Sequence, residues 1–278
     1  MHTGYGGLMR QAAALKRDLR LLKQAAGVDL GERSPLELAR ELKYTLDPWQ
    51  ERTLMSTEPG VLLLVSRQGG KSTVASLLAL HTALFVPGSL TLIVAPSERQ
   101  AKLLLKTIRA SYARFADRIP ALSDGQLMLE LRNGSTLHAL PGKETTLRGF
   151  SNVDLLIIDE AARVMDVLYQ SVRPMLAVSG GRLVGLSTPW GKRGWFFEEW
   201  EKGGQDWHRE RITAFDLPRI DRTWLDRERQ KIGDWWFNQE YGCQFVDTND
   251  QLFATDLVYE AVRDDVAALS LPAFRGIA

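Results

Sequence analysis

The 278-residue chain has one cysteine, Cys243, so it cannot carry an intrachain disulfide framework; the thiol suits a reducing compartment. Four scattered histidines and that cysteine offer no zinc-ligand spacing. No apolar run approaches the ~20 residues that cross a bilayer, and the opening MHTGYGGLMRQAAALKRDLR lacks the apolar core of a secretion signal. The charge balance, 35 basic against 34 acidic residues, argues neither for nor against a nucleic-acid partner. The expectation is a soluble intracellular protein with no membrane association. With 45% hydrophobic residues it can bury one large core, or one core with an appendage.

Order along the chain is informative. Leu8, Leu15, Leu19 and Leu22 predict an amphipathic helix over 8–26. Ser34-Pro35 opens a second helix through about Leu42, and Pro48 in TLDPWQ starts a third, short one. Apolar runs at 61–65, 90–95, 154–158 and 183–187 read as buried strands. Helical stretches at 72–85, 98–116 and 163–177 lie between them. That alternation predicts an α/β fold with a largely parallel sheet covered on both faces. LMLELRNGSTLHAL alternates on either side of Asn133-Gly134, a hairpin signal. After Pro189, segments 193–202 and 221–242 are helical in pattern and rich in Trp, with Trp195, Trp200, Trp224, Trp235 and Trp236. Neighbouring Phe196, Phe197 and Phe237 favour burial of that cluster as the core of a small C-terminal subdomain rather than a base-stacking surface. The boundary is drawn at 215/216.

The stretch VSRQGGKST (65–73) comes after the apolar run 61–64 and precedes a helix. It ends as a phosphate-binding loop ends, in Gly70-Lys71-Ser72, but Val65 stands where the usual first glycine would be. A strand-to-helix junction of this kind directs loop amides and the helix dipole at an anion. Lys71 would reach the outer phosphates and Ser72 would hold Mg²⁺. LLIIDEA (155–161) is an apolar strand ending in two carboxylates. Asp159 suits the metal shell and Glu160 the polarisation of an attacking water. Many strands end in solvated acids; the upstream loop decides for the catalytic reading. Asp154, at the other end of that strand, reads as a surface acid. LSTPWG (186–191) offers Ser187 and Thr188 at a third strand tip, and Gln50 in TLDPWQ has an amide able to pair with adenine.

In that order LDPWQ, VSRQGGKST, IVAPSERQAK, TLRGFSNVDLLIIDEA and GLSTPWG resemble the ATPase domain of the large terminase subunit of tailed bacteriophages, over about residues 45–191. The unusual loop, with Ser-Arg-Gln before its glycines, also occurs in that family. The resemblance implies a P-loop ATPase of the additional-strand, RecA-like type, with a helical N-terminal extension inside 1–215 and a helical linker subdomain at 216–278. It implies a motor that uses ATP and Mg²⁺ to drive double-stranded DNA through a portal into a procapsid. Ser66, Arg67, Gln68, Gly69, Gly70, Lys71, Ser72 and Thr73 would cradle phosphate. Ser72 and Asp159 would hold the metal, Glu160 would be the catalytic carboxylate, Ser187 and Thr188 would couple nucleotide state to motion, and Gln50 would touch adenine. Arg67 would reach the γ-phosphate in cis, and Arg148 is the candidate for an arginine inserted by a neighbouring subunit. Implied partners are DNA, the portal, the small terminase subunit and further copies in a ring, a pentamer on the portal. The implied location is the host cytoplasm and, transiently, the procapsid.

Family members carry a C-terminal nuclease; the residues up to Ala278 are too few for it, so nuclease activity is not expected of this chain. Arg99, Lys102, Lys106 and Arg109 recur at steps of three and four and are the candidate DNA contacts, through phosphates rather than base edges. Two alternatives stand beside the motor: a helicase-like DNA translocase, which normally needs a second motor domain, and an assembly protein switched by nucleotide, which has no need of Glu160.

Overall fold

The computed structural model describes residues 30–142, 147, 149–247, 257 and 261. The helix expected over 8–26 and Arg148 lie outside them. Contacts divide the chain into a unit ending at Val246, which holds the whole sheet, and a short remainder beginning at Asp247.

Helix α1 (Pro35–Glu41) starts where Ser34 accepts from the Glu37 amide while the Glu37 carboxylate accepts from the Ser34 amide, a reciprocal cap with Pro at the first turn. Helix α2 (Pro48–Met55) repeats the device with Asp47 and Gln50. Strand β1 (Gly60–Val65) and helix α3 (Lys71–Phe85) come next, then β2 (Leu90–Ala95) and α4 (Glu98–Tyr112). After them lie β3 (Ala121–Gly125), β4 (Met128–Leu131), β5 (Thr136–Pro141) and β6 (Leu155–Asp159). Helices α5 (Asp166–Val172) and α6 (Pro174–Ala177) lead to β7 (Arg182–Ser187), α7 (Gly194–Lys202) and β8 (Trp207–Ile212). Helices α8 (Arg222–Ile232) and α9 (Asp234–Glu240) close the unit.

The eight strands form one sheet in the order β3-β4-β5-β2-β6-β7-β1-β8. Pairs from β5 across to β8 are parallel, and β3-β4-β5 form an antiparallel edge. The mostly parallel α/β fold expected from the sequence is the observed one. Alternate side chains of the central strands feed two layers. Val61, Leu63, Val65, Ile93, Ile157, Val184 and Leu186 pack with α1, α3 and α4. Leu62, Leu64, Leu92, Val94, Leu156 and Ile158 pack with α5 and α7. Burying each such side chain contributes about 1.5–3 kcal/mol relative to leaving it in water.

The Asn133-Gly134 turn joins β4 to β5 with Gly134 at φ 78°, and Asn133 Nδ2 donates 2.8 Å to the carbonyl of Ala83, tying the hairpin to α3. Other expectations need correction. The helical stretch 163–177 is broken into a 3₁₀ turn, α5 and α6, because Pro174 cannot continue α5. The stretch 221–242 breaks at Gly233, which takes φ 79° between α8 and α9. Strands β3 and β8 were not expected at all. The Trp cluster is not one core: Trp195 is buried in the second layer, stacked 4.1 Å from Tyr169, whereas Trp224 and Trp236 are more than 40% exposed. The compact unit closes at Val246 and includes α8 and α9. Asp154 is no free surface acid, since its Oδ2 accepts from the Leu90 amide at 2.9 Å. Among the described residues no helix is long and apolar enough to cross a membrane.

Candidate active site

Three neighbouring parallel strands, β6, β7 and β1, end at one edge of the sheet. Their register sets Asp159 beside Leu186, and Ser187 beside Leu64. The phosphate-loop residues, the Asp159-Glu160 pair and the Ser187-Thr188 pair therefore emerge side by side. Ligand sites of open parallel sheets lie at this carboxyl end.

The loop 66–70 is bent by two left-handed residues, Gln68 at φ 59° and Gly70 at φ 96°. A side chain at Gly70 would be strained by that φ, and its Cβ would stand 2.7 Å from Gln50 Nε2, which would have to shift. Gly70 is also the N-cap of α3, and no side chain caps that end, which leaves first-turn amides for an anion. Lys71 folds back over the loop, donating to the carbonyls of Val65 at 2.7 Å and Ser66 at 3.3 Å. Burial pushes its ammonium below the ordinary lysine range, opposed first by the charge of Glu160. Ser66 is buried, Arg67, Gln68 and Ser72 are exposed, and Thr73 is half-buried.

At the tip of β6, Asp159 Oδ1 accepts from the Glu160 amide at 2.9 Å. Burial, reinforced by the Glu160 charge, raises the Asp159 carboxyl from 3.8 to about 6. Glu160 itself holds a left-handed backbone, φ 50° and ψ 42°, unusual for a side chain of its length. Its Oε2 is buried without a hydrogen bond, and so are Ser187 Oγ and Thr188 Oγ1. Each such atom costs about 1–3 kcal/mol unless something arrives to pair with it. Their collection at adjoining strand tips marks a polar site built for a ligand.

Gln50 departs from its expected role. It is 4% exposed, its Oε1 accepts from the Asp47 amide at 2.8 Å, and its Nε2 donates to the Gly70 carbonyl at 3.2 Å. Both ends of the amide serve the chain itself, so in this arrangement it braces the phosphate loop rather than facing a base.

The four helix cations also divide. Arg99 and Lys106 are exposed. Lys102 pairs with Glu98 at 2.6 Å and donates to Gln126 at 2.9 Å. Arg109 pairs with Asp124 at 2.7 Å and donates to the Met128 carbonyl at 3.1 Å. These two tie α4 to the β3–β4 hairpin.

Residues that sequence reasoning did not single out complete the site. Arg219 donates to both oxygens of Asp47, at 3.0 and 2.8 Å, and to the Gly69 carbonyl at 2.8 Å. With Gln68, Ile220, Trp224 and Tyr241 it lines a pocket of about 850 Å³ beside the loop. Glu240 binds Arg67, and Arg163 lies over the Trp190 ring at 3.9 Å. Arg163 lies three residues after Glu160 and Trp190 stands inside STPWG, so both had a local signal. Arg219 and Glu240 had none.

The family model described as "Terminase large subunit, T4likevirus-type, N-terminal" matches residues 62–258. The chain belongs to the terminase large subunit family. Among curated terminase large subunits, that of Thermus virus P23-45 is 28% identical over 236 residues, covering 72% of this chain and 48% of the relative. That of Escherichia phage T5 is 28% identical over 212 residues, covering 73% and 48%. This terminase chain thus spans about half the length of the curated relatives it matches. The solved large terminase ATPase domain of Thermus phage P74-26 superposes with a TM-score of 0.70 at 25% identity, covering 77% of this chain and all of the other. The large terminase of a thermophilic bacteriophage, solved in complex with ADP, shares the fold, with a TM-score of 0.58 at 13% identity over 77% of this chain and 54% of its own.

Proposed function

We propose that this terminase chain binds ATP with Mg²⁺ and hydrolyses it, and that hydrolysis drives double-stranded DNA into a procapsid. One observation carries the reading: the phosphate loop, Asp159-Glu160 and Ser187-Thr188 stand on adjacent strand tips, where two buried hydroxyls and one carboxylate oxygen lack hydrogen bonds. The Ser187 and Thr188 hydroxyls can donate to phosphate oxygens, and the Glu160 oxygen can accept from a water.

Residues Ser66 to Thr73 receive the phosphates, with the uncapped amides of α3 attracting the charge. Lys71 leaves the carbonyls of Val65 and Ser66 to pair with phosphate, an exchange that relieves a desolvated cation. Magnesium fits the donor set: Ser72 and Asp159 supply the one or two protein oxygens such a site needs. Among the described residues no three His, Cys, Asp or Glu cluster as an all-protein cage. Bound there, the ion neutralises charge on the phosphate oxygens. Glu160 orients and polarises the attacking water and accepts its proton. Ser187 and Thr188 sense the outer phosphate. The base and sugar take the pocket walled by Ile220, Trp224 and Tyr241, since Gln50 is already engaged.

The remaining parts of the reading come from the family. Copies form a ring, a pentamer on the portal, with DNA and the small subunit as partners. Work is done in the host cytoplasm and on the procapsid. Residues beyond 215, which also supply Arg219 and Glu240 to the site, link the strands of the ATPase to the remainder of the subunit. Steady-state ATP hydrolysis with Mg²⁺, for the native chain and Glu160→Gln across protein concentrations, tests the proposal. Turnover that disappears in the variant and rises more than linearly with concentration is expected. Tight ATP binding without turnover, on portal and DNA as well as alone, would replace the motor by a nucleotide-switched assembly protein.

A further inference from the structure

Four charges of alternating sign run from the phosphate loop to the catalytic carboxylate. Arg67 Nε donates to Glu240 Oε2 at 2.6 Å. Glu240 Oε1 accepts from Arg163 Nη2 at 3.4 Å. Arg163 Nε stands 3.6 Å from Glu160 Oε2. The order is Arg67, Glu240, Arg163, Glu160, and Glu240 is the member contributed from far along the chain, at the last position of α9. It is 7% exposed, and its backbone carbonyl also accepts from the Arg67 amide at 3.4 Å. A carboxylate this buried is stable only when paired, and here each oxygen has its own guanidinium.

The geometry leaves the useful ends of both arginines available. Arg67 spends Nε on Glu240, so its two terminal amino groups form the edge that an anion can take in bidentate fashion. Without that bond, Arg67 is an exposed, rotamer-rich side chain on a loop, and each nucleotide must fix it anew. Arg163 lies over the Trp190 ring with its guanidinium carbon 3.9 Å from the centroid, a contact that restrains it. It meets Glu160 Oε2 as an ion pair without a hydrogen bond, so that oxygen keeps its accepting capacity for water.

We propose that Glu240 is a positioning residue for hydrolysis: one carboxylate aims Arg67 at the terminal phosphate and, through Arg163, holds Glu160 at the tip of β6. The inference rests on the ATPase reading above and adds to it a residue outside the phosphate-loop and strand-tip motifs. A merely structural Glu240 would staple α9 to the loop and affect every nucleotide alike. A positioning Glu240 separates nucleotides by their terminal phosphate.

The test compares dissociation constants for ADP and for the β,γ-imido analogue of ATP, together with kcat, in the native chain, Glu240→Gln and Glu240→Asp. In Glu240→Gln the preference for the analogue over ADP should fall about tenfold, the scale of one charge-assisted hydrogen bond, with a fall in kcat of at least about that size. Glu240→Asp, which keeps the charge, should recover most of both. Asp234→Ala, on the same helix as Glu240, removes an exposed ion pair with Arg229 of α8 and should change neither. A preference and a kcat that are both unaltered in Glu240→Gln overturn the proposal while hydrolysis itself stands. If Glu240→Gln does not fold, Arg67→Lys, which keeps the charge but loses the Nε bond to Glu240, should show the fall in preference, and an unaltered preference there overturns the proposal. A native chain that binds both nucleotides but does not turn over ATP overturns the hydrolysis reading, and the preference still decides for or against Glu240.

Discussion

The side-chain amide of Gln50 donates to the carbonyl of Gly70, 3.2 Å across a gap of twenty residues. Its oxygen is simultaneously engaged by the Asp47 amide, so the start of α2 and the end of the phosphate loop share one buried group. Replacing it should therefore act on the loop rather than on the choice of base. Gln50→Ala should lower stability by about 1–2 kcal/mol through the lost cap and loop contact. It should weaken ATP and GTP binding by the same factor. Calorimetric titration with the two nucleotides checks this; a loss confined to ATP would return Gln50 to the adenine.

Asp159 gives the site a pH signature. Its carboxyl titrates at about 6 in the folded chain against an ordinary 3.8. Between those values the folded state binds more protons than the unfolded state, so the contribution of Asp159 to stability falls as pH rises. Asp159→Asn should accordingly be more stable than the native chain near pH 7, by about 1–3 kcal/mol, with the gap closing below about pH 4. Denaturant melts across that range measure it. In the native chain nucleotide binding with Mg²⁺ should weaken as pH drops below about 6, because the metal needs the ionised carboxylate.

The cations of α4 should separate by role. Arg99→Ala and Lys106→Ala should each reduce the salt dependence of DNA binding by about 0.9 in the log–log slope, with melting temperature unchanged. Arg109→Ala should instead destabilise the chain, because it releases Asp124 and the Met128 carbonyl from the β3–β4 hairpin. Equal salt slopes in Arg99→Ala, Lys106→Ala and the native chain would remove this face from the DNA path.

Arg148 makes a prediction about subunits. If it completes a neighbour's site, Arg148→Ala and Glu160→Gln chains, each inactive alone, should regain turnover when mixed. Hydrolysis measured across mixing ratios tests this, and a flat response assigns Arg148 to its own chain.

The elements that position chemistry were the legible ones, for a physical reason. Strands β1 and β6 are buried on both faces, so each writes an unbroken apolar run, and the residues of the site, Gly70-Lys71-Ser72 or Asp159-Glu160, stand at or just past the end of each run. Edge strand β8 reads WHRERI and escaped notice because it is half-buried and carries one of its charges, Glu210, inward. Glu210 is only 8% exposed and is matched by Arg52 at 2.8 Å, a partner 158 residues away. The same holds for Arg219 and Glu240: a polar residue joined to a distant loop leaves no periodicity behind. Gly233 was visible as a glycine between Ile232 and Asp234, yet the Trp-rich pattern on both sides suggested a single helix where the backbone turns.

Arg219 and Glu240 reach the phosphate loop from beyond the last strand, one through the Gly69 carbonyl and the other through Arg67. A fragment ending at Ile212 would keep every strand of the sheet, with Lys71, Asp159 and Glu160 in place, and would still lack both clasps on the nucleotide loop. If the chain hydrolyses ATP as proposed, the shortest piece able to do so faithfully is set by its clasps and not by its sheet, and it runs at least through Glu240.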